Sequence, residues 1–186
     1  MMLGHAPRGA AGGVMGIDFS KLDLRDALDL AILMEEEARE RYVEFSKLVG
    51  GRYPGDASDV FKMMAAYEVK HEEQLKARRR SLFKDAPARV SMDQLDDAEA
   101  PDRGSPRVFM SARDAMEVAL AAEEKAWAFF DQALREVKDA GVRALFEELR
   151  GEEASHRKIL ADKMRGMPKG PDLTEADADA PGSDGG

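Results

Sequence analysis

Two short segments of this chain carry residue types that can hold a cation. Glu68-Val69-Lys70-His71 and Glu153-Ala154-Ser155-His156 each place a carboxylate three positions before an imidazole. On a helix, residues three apart occupy neighbouring positions of one face, so each Glu and His can reach a common point. Glu35 and Glu123 add two more carboxylates, each in the middle of an apolar stripe. An isolated carboxylate in such a place is costly, and four converging without counter-charge would be worse. Two divalent cations supply four positive charges against the four Glu, with both His binding as neutral imidazoles. The expected metal ligands are therefore Glu35, Glu68, His71, Glu123, Glu153 and His156. A mixed carboxylate and imidazole set suits iron or manganese better than copper(I) or a thiolate-bound structural metal, and a mixed pair of metals fits it too.

A single Glu-x-x-His is a weak match, because chance produces it readily. Asp and Glu are 37 of 186 residues, so about one His in five has an acid three positions before it. Two of the three histidines having it, at equivalent places in a repeat, is a much stronger signal. His5 lies in a Gly/Ala-rich N-terminal stretch and reads as unrelated. Position 35 wins over Glu36 and Glu37 because it is in phase with Leu28, Ala31, Ala38 and Tyr42. Glu123 wins over Glu124 by its phase with Ala119, Ala126 and Phe130. The remaining acids, Glu36, Glu37, Glu72, Glu73, Glu124, Glu147, Glu148 and Glu152, read as a solvated face. Tyr42 is two turns beyond Glu35, about 10.5 Å along the axis. It either hydrogen-bonds a ligand from another helix or is a core tyrosine. Trp127, Phe129 and Phe130 read as packing.

Four helices must position these groups. The first is expected over residues 24 to 48, with Asp23 as N-cap and Gly50-Gly51 as its stop. The second is expected from 57 to 83, between Pro54-Gly55 and Pro87. The third starts near Ser111, with Asp114 three residues on, and runs to about Lys138. The fourth is expected from 140 to 164, after the short link Asp139-Ala140-Gly141, which makes helices three and four antiparallel neighbours. Residues 85 to 110 hold Pro87, Pro101, Gly104 and Pro106 and no sustained period. That is long for a loop, and it fits a crossover from one end of a bundle to the other.

The chain repeats itself. Arg25-Asp26-Ala27, Ala31, Glu35 and Ala38 match Arg113-Asp114-Ala115, Ala119, Glu123 and Ala126. Phe61, Glu68, His71 and Leu75 match Phe146, Glu153, His156 and Leu160. Two related helical hairpins, each giving one Glu and one Glu-x-x-His, account for both sets.

Composition narrows the rest. The chain is long enough for one domain with a substantial core. Its net charge of −9 argues against a nucleic-acid groove. Lys76, Arg78, Arg79 and Arg80 form one basic cluster, which reads as a solvated helix end complementing the dipole. The chain has no cysteine, so disulfides, iron–sulfur clusters and thiolate zinc sites are excluded. No apolar run approaches a membrane span, and a cytoplasmic protein is the expectation. Residues 1–20 are expected to be a flexible N-terminal segment, 21–166 a four-helix bundle, and 167–186 a disordered acidic tail. Translation starts at Met1 or Met15.

This pattern resembles the ferritin-like di-iron carboxylate proteins, and within them the rubrerythrin di-iron domain. The matching segments are Ala27–Tyr42, Phe61–His71, Ala115–Phe130 and Phe146–His156. The resemblance implies an all-α, ferritin-like four-helix bundle of two hairpins joined by a long crossover. It implies two iron ions, with Glu35 and Glu123 as terminal ligands, Glu68 and Glu153 as bridging ligands, and His71 and His156 on one iron each. The activity it implies is oxidation of Fe(II) by peroxide or dioxygen, for peroxide detoxification or as a ferroxidase, with an external electron donor. Iron storage or trafficking is the alternative, and a non-catalytic helical interaction module a third. A homodimer or larger homo-oligomer is expected. Two departures stand out. Ala126 occupies the place where peroxide-reducing relatives usually carry an extra Glu, and no rubredoxin-like cysteine set is present. Bacterioferritins place a haem-ligating Met where this chain has Val69, so haem is not implied.

Overall fold

The computed structural model describes residues 17–91 and 100–168. Four long helices make up most of it: α1 (Leu24–Val49), α2 (Ala57–Phe83), α3 (Ala112–Glu136) and α4 (Ala140–Met164). A short 3-10 turn, Phe19–Lys21, precedes them, and there is no strand among the described residues. The architecture is an all-α, ferritin-like four-helix bundle.

Local chemistry sets the helix ends. Asp23 accepts hydrogen bonds from the backbone N–H groups of Arg25 and Asp26 to start α1, satisfying donors that have no partner within the helix. Asp56 caps α2 in the same way. Ser111 and Asp114 form a reciprocal capping box at α3. Helix α3 stops two residues short of the expected Lys138, because Val137 turns extended (φ −59°, ψ 127°) and its side chain is buried. Ala140 and Gly141 belong to α4 rather than to the link, and Asp139 caps that helix.

The chain runs α1 down and α2 back, as Asp29–Arg79 at one end and Phe45–Phe61 at the other show. α3 and α4 form the second antiparallel hairpin, marked by Asp131–Arg150 and Arg113–Met164. α2 is also antiparallel to α4, through His71–His156 and Arg78–Glu148. α2 and α3 therefore point the same way, and the segment between them must travel the length of the bundle.

Residues 92–99 of that crossover lie outside the described residues, and basic side chains hold the described stretches on either side of them. Arg79 pairs with buried Asp29 and donates to the Ala86 carbonyl at 2.9 Å. Arg89 pairs with Asp23 and, at 2.7 Å, with Asp26. Further along, Arg41 donates to the Pro101 carbonyl at 2.7 Å, and Lys125 to that of Ala100 at 3.2 Å. Arg41 is only 2 % exposed. The basic cluster at the end of α2 is thus not simply solvated: Lys76 holds Glu36 and Glu72, Arg78 holds Glu148, and Arg79 is turned inward.

Ile17 and Phe19, expected in the flexible N-terminal segment, pack on the bundle. Phe19 is buried with its ring edge-on to Phe129. The expectations for residues 1–16 and 169–186 lie outside the described residues.

Apolar packing forms two clusters, one toward each end of the bundle. The first gathers residues 27–34 of α1, Leu75, residues 129–134 of α3 and residues 142–149 of α4, with Phe19. The second gathers residues 38–49, 57–65 and 112–122 with Leu160. In every helix the change from one cluster to the other falls at a charged position: Glu35, Glu68 with His71, Glu123, and Glu153 with His156. The six polar residues form a waist between two dry layers.

Candidate metal centre

All six sequence-predicted ligands are buried, the four Glu at 1–3 % exposure and both His at 8 %. Glu35, Glu68 and His71 bring one ligand atom each to within 4.8 Å of one another, and Glu123, Glu153 and His156 do the same. These two groups are the two halves of the sequence repeat. They face each other across the His71 and His156 rings, which lie nearly parallel, 7° apart, with centroids at 4.8 Å.

Phase separates the chosen acids from their neighbours as helical geometry requires. Glu36 and Glu37 point away from the waist, where Lys76 and Arg41 hold them. Glu124 is exposed and lies 3.5 Å from Arg157, whose guanidinium also covers Trp127. Tyr42 is buried beyond the waist, in the apolar cluster, with its ring against Phe61 at 6.2 Å. Ala126 is fully buried.

The two halves differ in detail. His156 Nδ1 lies 3.0 Å from Glu123 Oε2 and 3.8 Å from Glu153 Oε2. In the other half, His71 Nδ1 is 3.8 Å from Glu35 Oε2. Burial pushes Glu68 up to about 7, with hydrogen bonding to Glu35 opposing and the Glu153 charge adding. Burial also pushes Glu153 up to about 8, opposed by the nearby His156 and helped by Glu123. Burial and the nearby positive charges of His156 and Lys70 lower His71 to about 4. For His156 burial works the same way, but Glu123 and Glu153 outweigh it and hold the imidazolium up to about 10. The waist is a place where negative charge is crowded and poorly solvated, so it favours protons or cations.

Its donor set fits a pair of divalent cations. Glu68 Oε1, His71 Nδ1 and Glu153 Oε2 are buried with no hydrogen-bond partner among the described residues. Buried polar atoms left this way ordinarily have an ion or water to satisfy them. Each group offers carboxylate oxygen and imidazole nitrogen, the donors that iron and manganese accept.

Sequence reasoning did not single out Tyr67, yet its ring stacks on His156 at 5.5 Å. The signal was its position one turn before His71 on the same helix face. It likewise missed the buried Asp29 and Arg41 that anchor the crossover.

A four-helix bundle with paired Glu/Glu/His groups at its waist defines a ferritin-like protein with two candidate carboxylate/histidine metal positions. The family model for rubrerythrin matches residues 26–164, and the chain belongs to the rubrerythrin family. Among solved structures it is similar to an uncharacterized conserved protein from Magnetospirillum magnetotacticum MS-1. The two share 27 % identity and a TM-score of 0.64 over 82 % of this chain and 100 % of that one. A hypothetical protein from Pyrococcus furiosus matches at 22 % identity and TM-score 0.52, over 81 % of this chain and 95 % of that one. A bacterioferritin-related dodecameric thioferritin from Bacteroides fragilis matches at 18 % and 0.52, over 78 % and 88 % of the two chains. At those identities the last two speak for the fold alone. No curated protein matches the chain.

Proposed function

We propose that this chain is a di-iron oxidoreductase in which Glu35, Glu68, His71, Glu123, Glu153 and His156 hold two iron ions. The observation that carries the reading is the pair of buried Glu/Glu/His groups at the waist, three of whose polar atoms have no hydrogen-bond partner among the described residues. When bound, a pair of iron ions would supply two-electron redox chemistry toward peroxide or dioxygen. An external donor returns the electrons.

The protein's part is positional and electrostatic. Four rigid helices fix the ligands, so little reorganisation is needed when charge changes. The apolar layers above and below exclude water, which strengthens the attraction between carboxylates and cations. Glu68, Glu153 and His156 release protons as cations arrive. Ala126, where an extra Glu would stand, leaves the ligand set at six.

Anaerobic Fe(II) titration tests the site, and we expect two Fe(II) per chain. Replacing His71 or Glu153 by Ala removes the paired stoichiometry and leaves helical circular dichroism intact. An unchanged two-iron stoichiometry in both variants would refute the assignment. Exposing the Fe(II)-loaded protein separately to peroxide and dioxygen then ranks the oxidants. A faster peroxide reaction supports detoxification, and a faster dioxygen reaction supports ferroxidase use. In a second reading the same oxidation serves iron storage or trafficking within an oligomer, the state that the Bacteroides fragilis fold neighbour is described in as a dodecameric thioferritin.

A further inference from the structure

The repeat relates residue 68 to residue 153 and residue 71 to residue 156, a constant offset of 85. A perfect repeat would give both metal positions the same surroundings. One turn before each histidine the two halves diverge: position 67 is Tyr and position 152 is Glu. The Tyr67 ring is partly buried and stacks on the His156 ring, with centroids 5.5 Å apart and planes 25° apart. Tyr67 and His71 both stand on α2, so His156, on α4, stacks against two rings from the opposite helix. Among the described residues, His71 has no ring contact besides His156.

We propose that Tyr67 is a positioning residue for His156, and that it makes the two metal positions of this centre inequivalent. Tyr67 does not reach a ligand atom; it acts through the ring it covers. A metal-binding imidazole must present Nδ1 in one direction, and an unrestrained ring loses that orientation by rotation about its side-chain bonds. Stacking limits this rotation before the cation arrives, so less freedom is lost on binding. The benefit falls on the Glu123/Glu153/His156 position. The Glu35/Glu68/His71 position has Glu152 at the related place and no such aromatic cover.

This inference rests on the di-metal reading above, and Co(II) binding read by visible absorption separates the two. We expect the wild-type protein to take up two Co(II) per chain. Tyr67→Ala weakens one of the two by about tenfold, the scale on which supporting groups act on a metal site, and leaves the other within about twofold. Tyr67→Phe, which keeps the ring, restores the wild-type isotherm. Proton NMR of the cation-free protein identifies the ligand affected: loss of the Tyr67 ring current moves the His156 ring protons downfield more than those of His71. A general structural defect would weaken both positions together. Equal weakening of both, no weakening of either, or failure of Tyr67→Phe to restore binding overturns the proposal. No Co(II) uptake by wild type together with the NMR shift overturns the di-metal reading and keeps the stacking contact. Co(II) uptake without the NMR shift overturns the role of Tyr67 alone.

Discussion

At the scale of single residues, the waist is governed by proton and cation competition for buried carboxylates. Glu68, Glu153 and His156 all bind protons more tightly in the fold than in an unfolded chain. A raised native value gives stability that is present at low pH and lost as pH rises through that value. His71 is shifted the opposite way, down to about 4, and its opposing contribution fades as pH rises above its ordinary value of 6.5. From pH 6.5 Glu68 contributes its loss up to about 7, while Glu153 and His156 go on contributing to pH 8. We predict that chelator-treated protein loses thermal stability across that window. The iron-loaded protein should show the reverse trend relative to it, because cations need the deprotonated ligands. Thermal unfolding by circular dichroism at the two pH values, with and without Fe(II), measures both slopes. A chelated protein that grows more stable from pH 6.5 to 8 contradicts the charge assignment.

At the scale of elements, buried charge and backbone conformation hold the crossover and the helix ends. Asp29 is 4 % exposed and pairs with Arg79, which also holds Ala86 at the start of the crossover. Removing one partner leaves a charge with little water around it, so Asp29→Ala is expected to cost about 3 kcal/mol, read as a lower urea midpoint. Helix α2 ends differently. Lys84 takes φ 52°, ψ −130° at the C-cap and donates its N–H to the Arg80 carbonyl. A side chain strains that backbone, and its own is exposed, so little contact is lost with it. Lys84→Gly is expected to raise stability by about 1 kcal/mol, within the range for relieving such a conformation. A lower urea midpoint for that variant would show that the lysine side chain contributes more than its backbone costs.

At the scale of the whole molecule, exposed apolar side chains bear on assembly. Leu48, Tyr53, Val108 and Phe109 are exposed large apolar side chains, the first two near the α1–α2 turn and the others at the end of the crossover. None of the described helices is long and apolar enough to cross a membrane. We predict a homo-oligomer, a dimer or larger, by light scattering coupled to size exclusion. A particle of 24 subunits favours storage and a dimer favours the redox enzyme, whereas the mass of a single 20.5 kDa chain contradicts assembly.

The sequence by itself determined the helices and the pattern of the site. Caps such as Asp23 and Ser111 are local signals, and the two Glu-x-x-His segments carry their own register, because helical spacing fixes which residues share a face. It also located the repeat, since matched spacing needs no coordinates. Only the tertiary structure decided what lies between helices. That His71 and His156 stack, that Tyr67 covers one of them and not the other, and that Arg41 and Arg79 turn inward to hold the crossover are contacts between residues 30 or more apart in sequence. Such contacts depend on how four helices are rotated and offset against each other, and no local spacing encodes that. The ligand set was therefore legible as two equal halves. The difference between those halves arises only where one hairpin meets the other.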